Sequence, residues 1–254
     1  MTPRQLPISK IRHTIRNLLI TAGVIFTAAV FAQQPGTDPS TADRRSYLAE
    51  TSKLCQIDWP KNRTVNIVCH GHSVPSGYFK TPEVHTFEAY PYLLHAALAE
   101  RFPHAVINVI VTAIGGENSE GGSRRFESEV LNHRPDVVSI DYALNDREIG
   151  LERARKSWIA MIKQAQAQGV KVLLLTPTPD LSAKLDSPAD PLNQHAEQIR
   201  QLAREYHVGL VDSLAAFQQF AKAGGQIPTL MAQRTHPNGK GHELVAKALV
   251  EWFP

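Results

Sequence analysis

The chain has 254 residues, of which 43% are hydrophobic and 20% are charged, with 27 basic and 24 acidic side chains. This length and apolar fraction allow one large domain or two small ones with a buried core, and they exclude a chain that is disordered throughout. The two cysteines, Cys55 and Cys69, are too few for a disulfide framework. We expect Cys69 to be a small buried apolar residue, and the sequence leaves its pairing with Cys55 open.

The first 32 residues differ in composition from the rest. They contain no acidic residue, and an uncharged run over 18–32 follows four basic side chains, Arg4, Lys10, Arg12 and Arg16. This pattern predicts a secretory signal peptide over residues 1–32, with a retained membrane anchor as the alternative. The sequence therefore predicts an exported protein, either periplasmic or secreted.

Removal of the signal peptide changes the charge balance. It would leave 23 basic against 24 acidic side chains, so the basic character of the full chain belongs to the export signal. We therefore expect no nucleic-acid partner, and no stable membrane partner once the signal is removed.

Beyond a predicted linker at 33–45, rich in Gln, Pro, Gly, Thr and Ser, strand-like and helix-like patterns alternate. Short runs rich in Val, Ile and Leu are typical of strands buried on both faces. They predict strands at 65–69, 105–114, 136–144, 170–176 and 208–211. Helical periodicity occurs between them, so we predict one α/β domain over 46–254, with a five-stranded parallel sheet in a three-layer α/β/α arrangement.

Residues just after parallel strands build the ligand site of such a sheet. Ser73 follows the first predicted strand, a glycine-rich run at 114–122 follows the second, and Asn145 follows the third. His236 stands just before the last helix. A serine attacks a carbonyl when a base removes its proton and donors stabilise the oxyanion, so Ser73 and His236 are the candidate catalytic pair. Taken alone, the glycine run also fits a flexible turn, and Asn145 or Asp146 also fits a helix cap.

This ordered set resembles the SGNH hydrolases, also called GDSL-type esterases, over almost all of residues 65–253. The resemblance implies a flavodoxin-like fold, with Ser73 as nucleophile and His236 as base. It also implies an oxyanion hole formed by the backbone N–H groups of Ser73 and Gly116 and the side chain of Asn145. No metal or organic cofactor is implied.

Three positions depart from the family pattern. His72 stands where the family has an aspartate, and Ala143 where it has a glycine; His72 and Asp146 are both adjacent to the predicted site. The family also has an aspartate three residues before its histidine, and this chain has Gln233. We therefore predict a Ser–His dyad, with the histidine oriented by Gln233, by a backbone carbonyl or by a carboxylate from elsewhere in the chain.

The predicted function is an exported serine esterase that cleaves small acyl groups, acetyl above all, from carbohydrate. One alternative is an exported carbohydrate-binding or surface protein of the same fold that has lost catalysis, and a lysophospholipase or thioesterase is less favoured. Metal-dependent hydrolysis through His70 and His72 is a further, weakly supported alternative, since a His-x-His pair is unspecific. Arg124, Arg125 and Arg147 would suit an acidic sugar, or would simply be solvated helix faces.

Overall fold

The computed structural model describes residues 41–254, so the predicted signal peptide and residues 33–40 of the predicted linker lie outside the described residues. Its helices are α1 (Ala49–Cys55), α2 (Ser73–Ser76), α3 (Tyr90–Arg101), α4 (Ser119–Glu129), α5 (Leu151–Ala167), α6 (Pro191–Glu205), α7 (Ser213–Lys222) and α8 (Gly239–Val250). Its strands are β1 (Thr64–Gly71), β2 (Val106–Val111), β3 (Val137–Asp141), β4 (Lys171–Leu175), β5 (Gly209–Val211), β6 (Met231–Gln233) and β7 (His236–Pro237).

Strands β1 to β5 form a parallel sheet in the order β2-β1-β3-β4-β5, which confirms the predicted fold class. The chain runs from β1 to one edge of the sheet and then returns to the other side of β1. This reversal places a topological switch point between β1 and β3, where the carboxyl ends of neighbouring strands leave a crevice. The two loops that leave β1 and β3 therefore open into one place.

Each buried strand contributes alternate side chains to two separate cores, because successive residues of a strand point to opposite faces. On β1, Ile67 belongs to a core shared with α3, α7 and α8, whereas Val68 belongs to a core shared with α4 and α5. Both side chains are almost completely buried. The apolar runs of β1, β3 and β4 are thus the result of burial on both faces of the sheet, whereas the edge strand β2 is apolar although Val106 and Val111 are exposed.

The turn after β1 is tight because Gly71 passes close to β3. A Cβ atom at Gly71 would lie 2.5 Å from the carbonyl oxygen of Asp141, so no larger residue fits there without a shift of the backbone. The chain then enters the four-residue helix α2, which ends at Gly77 with a φ of 86°. This turn brings Ser73 to the carboxyl edge of the sheet.

Cys55 and Cys69 are both buried and free, so the structure contains no bond between them. Burial raises the pKa of the Cys69 thiol to about 12 and that of Cys55 to about 11. Neither thiol is therefore a ready nucleophile at neutral pH.

Among the helices within residues 41–254, none combines the length and apolarity needed to cross a membrane. Residues 41–45, the last part of the predicted linker, are held against the end of the domain. Arg44 pairs there with Glu251, and its guanidinium lies 5.7 Å from the ring centre of Trp252.

We expect the free energy of unfolding to fall as the pH drops from about 6.5 towards 4, because three buried histidines remain neutral in the folded chain. Burial lowers the pKa of His70 and of His195 to about 4, and that of His242 to about 3. Below pH 6.5 the unfolded chain binds protons that the folded chain does not, so stability present above that pH is lost on acidification. For His70 this amounts to roughly 3 kcal/mol.

Urea unfolding at pH 7.5 and pH 5 measures this effect. His195→Gln removes one of the three titrations and should reduce the pH dependence. Equal unfolding free energies at the two pH values would contradict the expectation.

Candidate active site

Ser73 and His236 meet at the carboxyl edge of the sheet although 163 positions separate them in the chain. The Nε2 atom of His236 lies 2.9 Å from the Oγ atom of Ser73, within hydrogen-bonding distance. The two residues are only 7% and 6% exposed. A base in this position can remove the serine proton as the oxygen attacks a carbonyl.

Within the described residues 41–254, no carboxylate contacts the other ring nitrogen of His236. Its Nδ1 atom lies 3.2 Å from the carbonyl oxygen of Phe79 and 2.7 Å from the Nε2 atom of Gln233. Gln233 and His236 are neighbours because they face each other across the β6–β7 hairpin. A backbone carbonyl, one of the predicted alternatives, is thus in place to accept the Nδ1 proton.

The amide of Gln233 is turned the wrong way to orient the base. Its Oε1 atom accepts the backbone N–H of Thr81 at 3.0 Å, so its NH₂ group must be the end that faces His236. In this arrangement the Gln233 carbonyl faces Thr81 and not the imidazole. Phe79 and Gln233 favour different tautomers of His236. The Phe79 carbonyl can accept a hydrogen bond only if Nδ1 carries a proton, whereas the Gln233 NH₂ group can donate only if Nδ1 carries a lone pair.

The pKa of His236 lies below its ordinary value of 6.5, mainly because burial disfavours the charged ring. The Phe79 carbonyl acts in the opposite direction, and the nearby His72 adds to the lowering. His236 is consequently neutral at pH 7, which is the protonation state that a general base needs.

Donors for an oxyanion lie on the loops after β1 and β2. Within residues 41–254, the backbone N–H groups of Ser73 and Gly116 have no hydrogen-bond acceptor. Gly116 has a φ of 78°, a conformation that glycine adopts without strain, and a Cβ atom there would meet nothing within 4 Å. The glycine is thus required by the backbone geometry, and open space lies beside it.

Asn145, the third predicted donor, lies in the turn after β3. Its Nδ2 atom donates to the carbonyl oxygen of Glu117 at 2.9 Å. This bond uses one of the two amide protons and leaves the second for another acceptor. It also joins the turn after β3 to the Gly116–Glu117 loop, so it holds two of the candidate donors together.

A buried polar cluster beneath this loop was not predicted from the sequence. The hydroxyl of Tyr142 donates to the Glu117 carboxylate at 2.7 Å, receives a bond from Arg125, and lies 3.1 Å from the Nε2 atom of His70. Arg125 also bonds the same carboxylate through its Nε atom, at 2.9 Å. A histidine within an otherwise apolar strand, as at position 70, was the one sequence signal that pointed to such a cluster.

We expect Tyr142→Phe to lower kcat about tenfold with little change in KM, because the loop that carries Gly116 loses its buried anchor. The same change should destabilise the fold by about 1–2 kcal/mol, since the Glu117 carboxylate loses a hydrogen bond. Steady-state kinetics and urea unfolding measure the two effects. Tyr206→Phe, on the far side of the domain, is the matched control. A wild-type kcat in Tyr142→Phe would show that this cluster does not hold the loop.

Asp146, predicted to be adjacent to the site, lies in the interior of the protein. Its two carboxylate oxygens accept the backbone N–H of Ser119 at 2.8 Å and the indole N–H of Trp158 at 2.6 Å. The residue thus caps α4 from another part of the chain and joins it to α5. Burial raises its pKa, against the effect of these hydrogen bonds.

Arg124 is exposed, whereas Arg125, Arg147 and His70 make structural contacts. Arg125 lies in the buried cluster, so it is neither a sugar ligand nor a solvated helix face, and Arg147 pairs with the buried Asp180 at 2.9 Å. The ring nitrogens of His70 face the Thr112 hydroxyl and the Gly122 carbonyl. Within the described part of the chain, no group of three His, Cys, Asp or Glu residues is arranged to hold a metal ion.

A serine in contact with a histidine, beside free backbone donors at the switch point of a parallel sheet, is the arrangement of a serine-dependent acyl hydrolase. The sequence model of the GDSL-like Lipase/Acylhydrolase family matches residues 69–244. The chain belongs to this family and is a carboxylic ester hydrolase by class.

Two curated proteins illustrate its relationships. An acetylxylan esterase from Geobacillus stearothermophilus is 24% identical over 162 residues, which are 59% of this chain and 73% of that protein. An uncharacterized lipoprotein, YqeF, from Bacillus subtilis (strain 168) is 27% identical over 81 residues, 29% of this chain and 33% of that protein.

Solved structures share the fold. The Geobacillus stearothermophilus acetylxylan esterase superimposes with a TM-score of 0.65 at 21% identity, covering 74% of this chain and 94% of that one. A two-domain esterase active on acetylated mannans gives 0.69 at 20% identity, and the match covers 84% of this chain but only 54% of that protein. Among the structures of the xylan esterase are catalytic mutants in which a serine or a histidine is replaced by alanine.

Proposed function

We propose that this protein hydrolyses small acyl esters, acetyl esters of carbohydrate above all, through a covalent acyl-enzyme on Ser73. The observation that carries the proposal is the 2.9 Å contact between Ser73 Oγ and His236 Nε2, beside the unbonded N–H groups of Ser73 and Gly116. Family membership supports ester hydrolysis, and the names of the two esterase relatives support acetylated polysaccharide.

The reaction proceeds in two halves. His236 takes the Ser73 proton as the oxygen attacks the ester carbonyl, and the carbonyl electron pair moves to oxygen, where the N–H groups of Ser73 and Gly116 and the Asn145 amide stabilise it. The C–O bond then breaks, and the alcohol leaves with the proton from His236. Water, deprotonated by His236, attacks the acyl-enzyme and releases the acid and Ser73.

The surroundings of Ser73 favour a short acyl group. The Tyr78 ring lies between the base and the glycine-rich loop, with its centre 5.9 Å from that of His236. A Cβ atom at Gly115 would come within 2.8 Å of the same ring, so the ring is packed directly against the loop. This packing leaves little room for a long acyl chain on that side of the nucleophile.

We expect kcat/KM for p-nitrophenyl esters to be highest for acetate and to fall as the acyl chain lengthens. Tyr78→Ala should move the preference towards longer chains, with Tyr92→Ala, an exposed tyrosine, as the control. Release of acetate from acetylated xylan and acetylated mannan tests the alcohol side of the substrate. A steady rise in turnover towards octanoate in the wild type would contradict the acetyl preference.

Export to the periplasm or the exterior is part of the same proposal. It rests on the composition of residues 1–32, and the partial similarity to a lipoprotein supports it. The N-terminal sequence of the protein recovered from its native host would test it: a mature chain that starts near residue 33 is expected, and an intact Met1 would contradict it.

A further inference from the structure

A second histidine lies against Ser73, and this one has a carboxylate partner. His72 and Asp141 are 1% and 2% exposed, and the Nε2 atom of the ring lies 3.4 Å from the Oδ1 atom of the carboxylate. The pair is held by the sheet, since Gly71 and Asp141 face each other in the register of β1 and β3. In the described part of the chain, a buried carboxylate therefore lies beside His72, the other histidine near the nucleophile, and none lies beside His236.

Hydrogen bonds fix where the proton of His72 lies. The backbone N–H of Val74 points to the Nδ1 atom at 3.3 Å, and because an N–H group only donates, Nδ1 must carry a lone pair. The ring proton is then on Nε2, the nitrogen nearer to Asp141. Within residues 41–254, Asp141 Oδ1 accepts no hydrogen bond, so it meets His72 through the 3.4 Å electrostatic contact, whereas Oδ2 accepts the hydroxyl of Tyr90 at 3.3 Å.

The same geometry separates the roles of the two histidines. The Nδ1 atom of His72 lies 3.4 Å from Ser73 Oγ, against 2.9 Å for His236 Nε2. If the serine proton moved to this Nδ1 atom, two N–H donors would point at each other, because the Val74 N–H already points to Nδ1. His72 is thus unsuited to act as the base, but it is bonded to the short helix that carries the nucleophile.

We propose that His72 and Asp141 are positioning residues for Ser73. Asp141 holds the ring proton on Nε2, the free Nδ1 lone pair caps α2 through Val74, and this cap sets the direction of the Ser73 side chain. The inference rests on the proposed function, since it concerns the nucleophile of that reaction.

Two variants, His72→Asp alone and His72→Asp combined with Asp141→Asn, test whether the two side chains act together on Ser73. His72→Asp keeps an oxygen for the Val74 N–H but places two buried carboxylates together, so kcat should fall about 100-fold with KM nearly unchanged. Adding Asp141→Asn removes the repulsion and should restore kcat to within about tenfold of the wild type. Asp141→Asn alone keeps an acceptor for His72 and should lose less than His72→Asp.

The rate at which a fluorophosphonate labels Ser73 gives a second readout that needs no knowledge of the substrate. His72→Asn, which keeps an oxygen for the Val74 N–H but removes the imidazole that faces Asp141, should be labelled about tenfold more slowly, and it serves where His72→Asp does not fold.

Three outcomes would overturn the inference. The first is equal kcat in His72→Asp and the double variant, and the second is wild-type labelling in His72→Asn. The third is a parent protein whose Ser73 does not react, which would also overturn the proposed function. The second outcome separates the two proposals. If the fluorophosphonate labels Ser73 in the parent protein, fails to label it in His236→Ala and labels it at the wild-type rate in the His72 variants, only this inference is overturned.

Discussion

Ser73→Ala should abolish ester hydrolysis, with a loss in kcat of about 10⁵- to 10⁶-fold, because Ser73 is the group that carries the acyl in the proposed mechanism. His236→Ala should cost a comparable amount, since the two residues act as one unit and their losses do not add. Both variants should keep the wild-type fold. Hydrolysis of p-nitrophenyl acetate and covalent labelling of the protein by a fluorophosphonate measure the effect.

The matched controls lie far from the sheet edge that carries the site. Ser128→Ala removes an exposed hydroxyl from α4, and His104→Ala removes an exposed histidine that pairs with Asp58 at the opposite edge of the sheet. Both should keep wild-type activity. Failure of the wild type to be labelled, together with sugar binding that survives Ser73→Ala, would instead favour the alternative of a binding protein that has lost catalysis.

Gln233→Glu should raise kcat by about 10- to 100-fold. In a serine protease, an imidazole held in the wrong tautomer lowers kcat by about 10⁴, so a gain of this size is below the largest that correcting the tautomer could give. The Gln233 NH₂ group lies 2.7 Å from His236 Nδ1 and favours a lone pair there, which places the ring proton on Nε2, towards Ser73. That tautomer cannot accept the serine proton. A glutamate of the same length presents oxygen to both Thr81 N–H and His236 Nδ1, so the conflict disappears.

The pH profile distinguishes this effect from a general improvement in folding. In the wild type, activity needs neutral His236, and the pKa of this residue lies below 6.5. The fall of kcat/KM on the acid side of the pH profile should therefore occur below pH 6.5. A carboxylate beside the ring raises its pKa, so the acid limb of Gln233→Glu should move to higher pH. Gln226→Glu, which adds the same charge at an exposed position, should change neither kcat nor the limb. A Gln233→Glu variant with unchanged kcat and an unchanged acid limb would contradict the tautomer argument.

The sequence located the five strands of the parallel sheet, and for β1, β3 and β4 the reason is burial on both faces, which produces continuous apolar runs. It overestimated the length of β3, which ends at Asp141, whereas the predicted run continues to Leu144. The apolar residues after Asp141 form a buried turn, in which Asn145 N–H bonds the carbonyl of Tyr142. An apolar run records burial, and it does not report where the strand hydrogen bonds stop.

The β6–β7 hairpin was not predicted at all. Strands of three and two residues carry too few positions for any periodicity to show. This hairpin is nevertheless what sets Gln233 against His236, and the distant loop after α2 supplies the Phe79 carbonyl. The orientation of the base could therefore not be read from the chain.

The sequence by itself determined the sheet, the family and the residue types that carry the proposed chemistry, because these follow from local apolar patterns and short motifs. Only the tertiary structure decided which partners those residues have. It placed the Phe79 carbonyl on His236, turned the Gln233 amide away from the role predicted for it, and set Asp141 behind His72. Such contacts join residues far apart in the chain, and their hydrogen-bond directions depend on groups that only folding brings together.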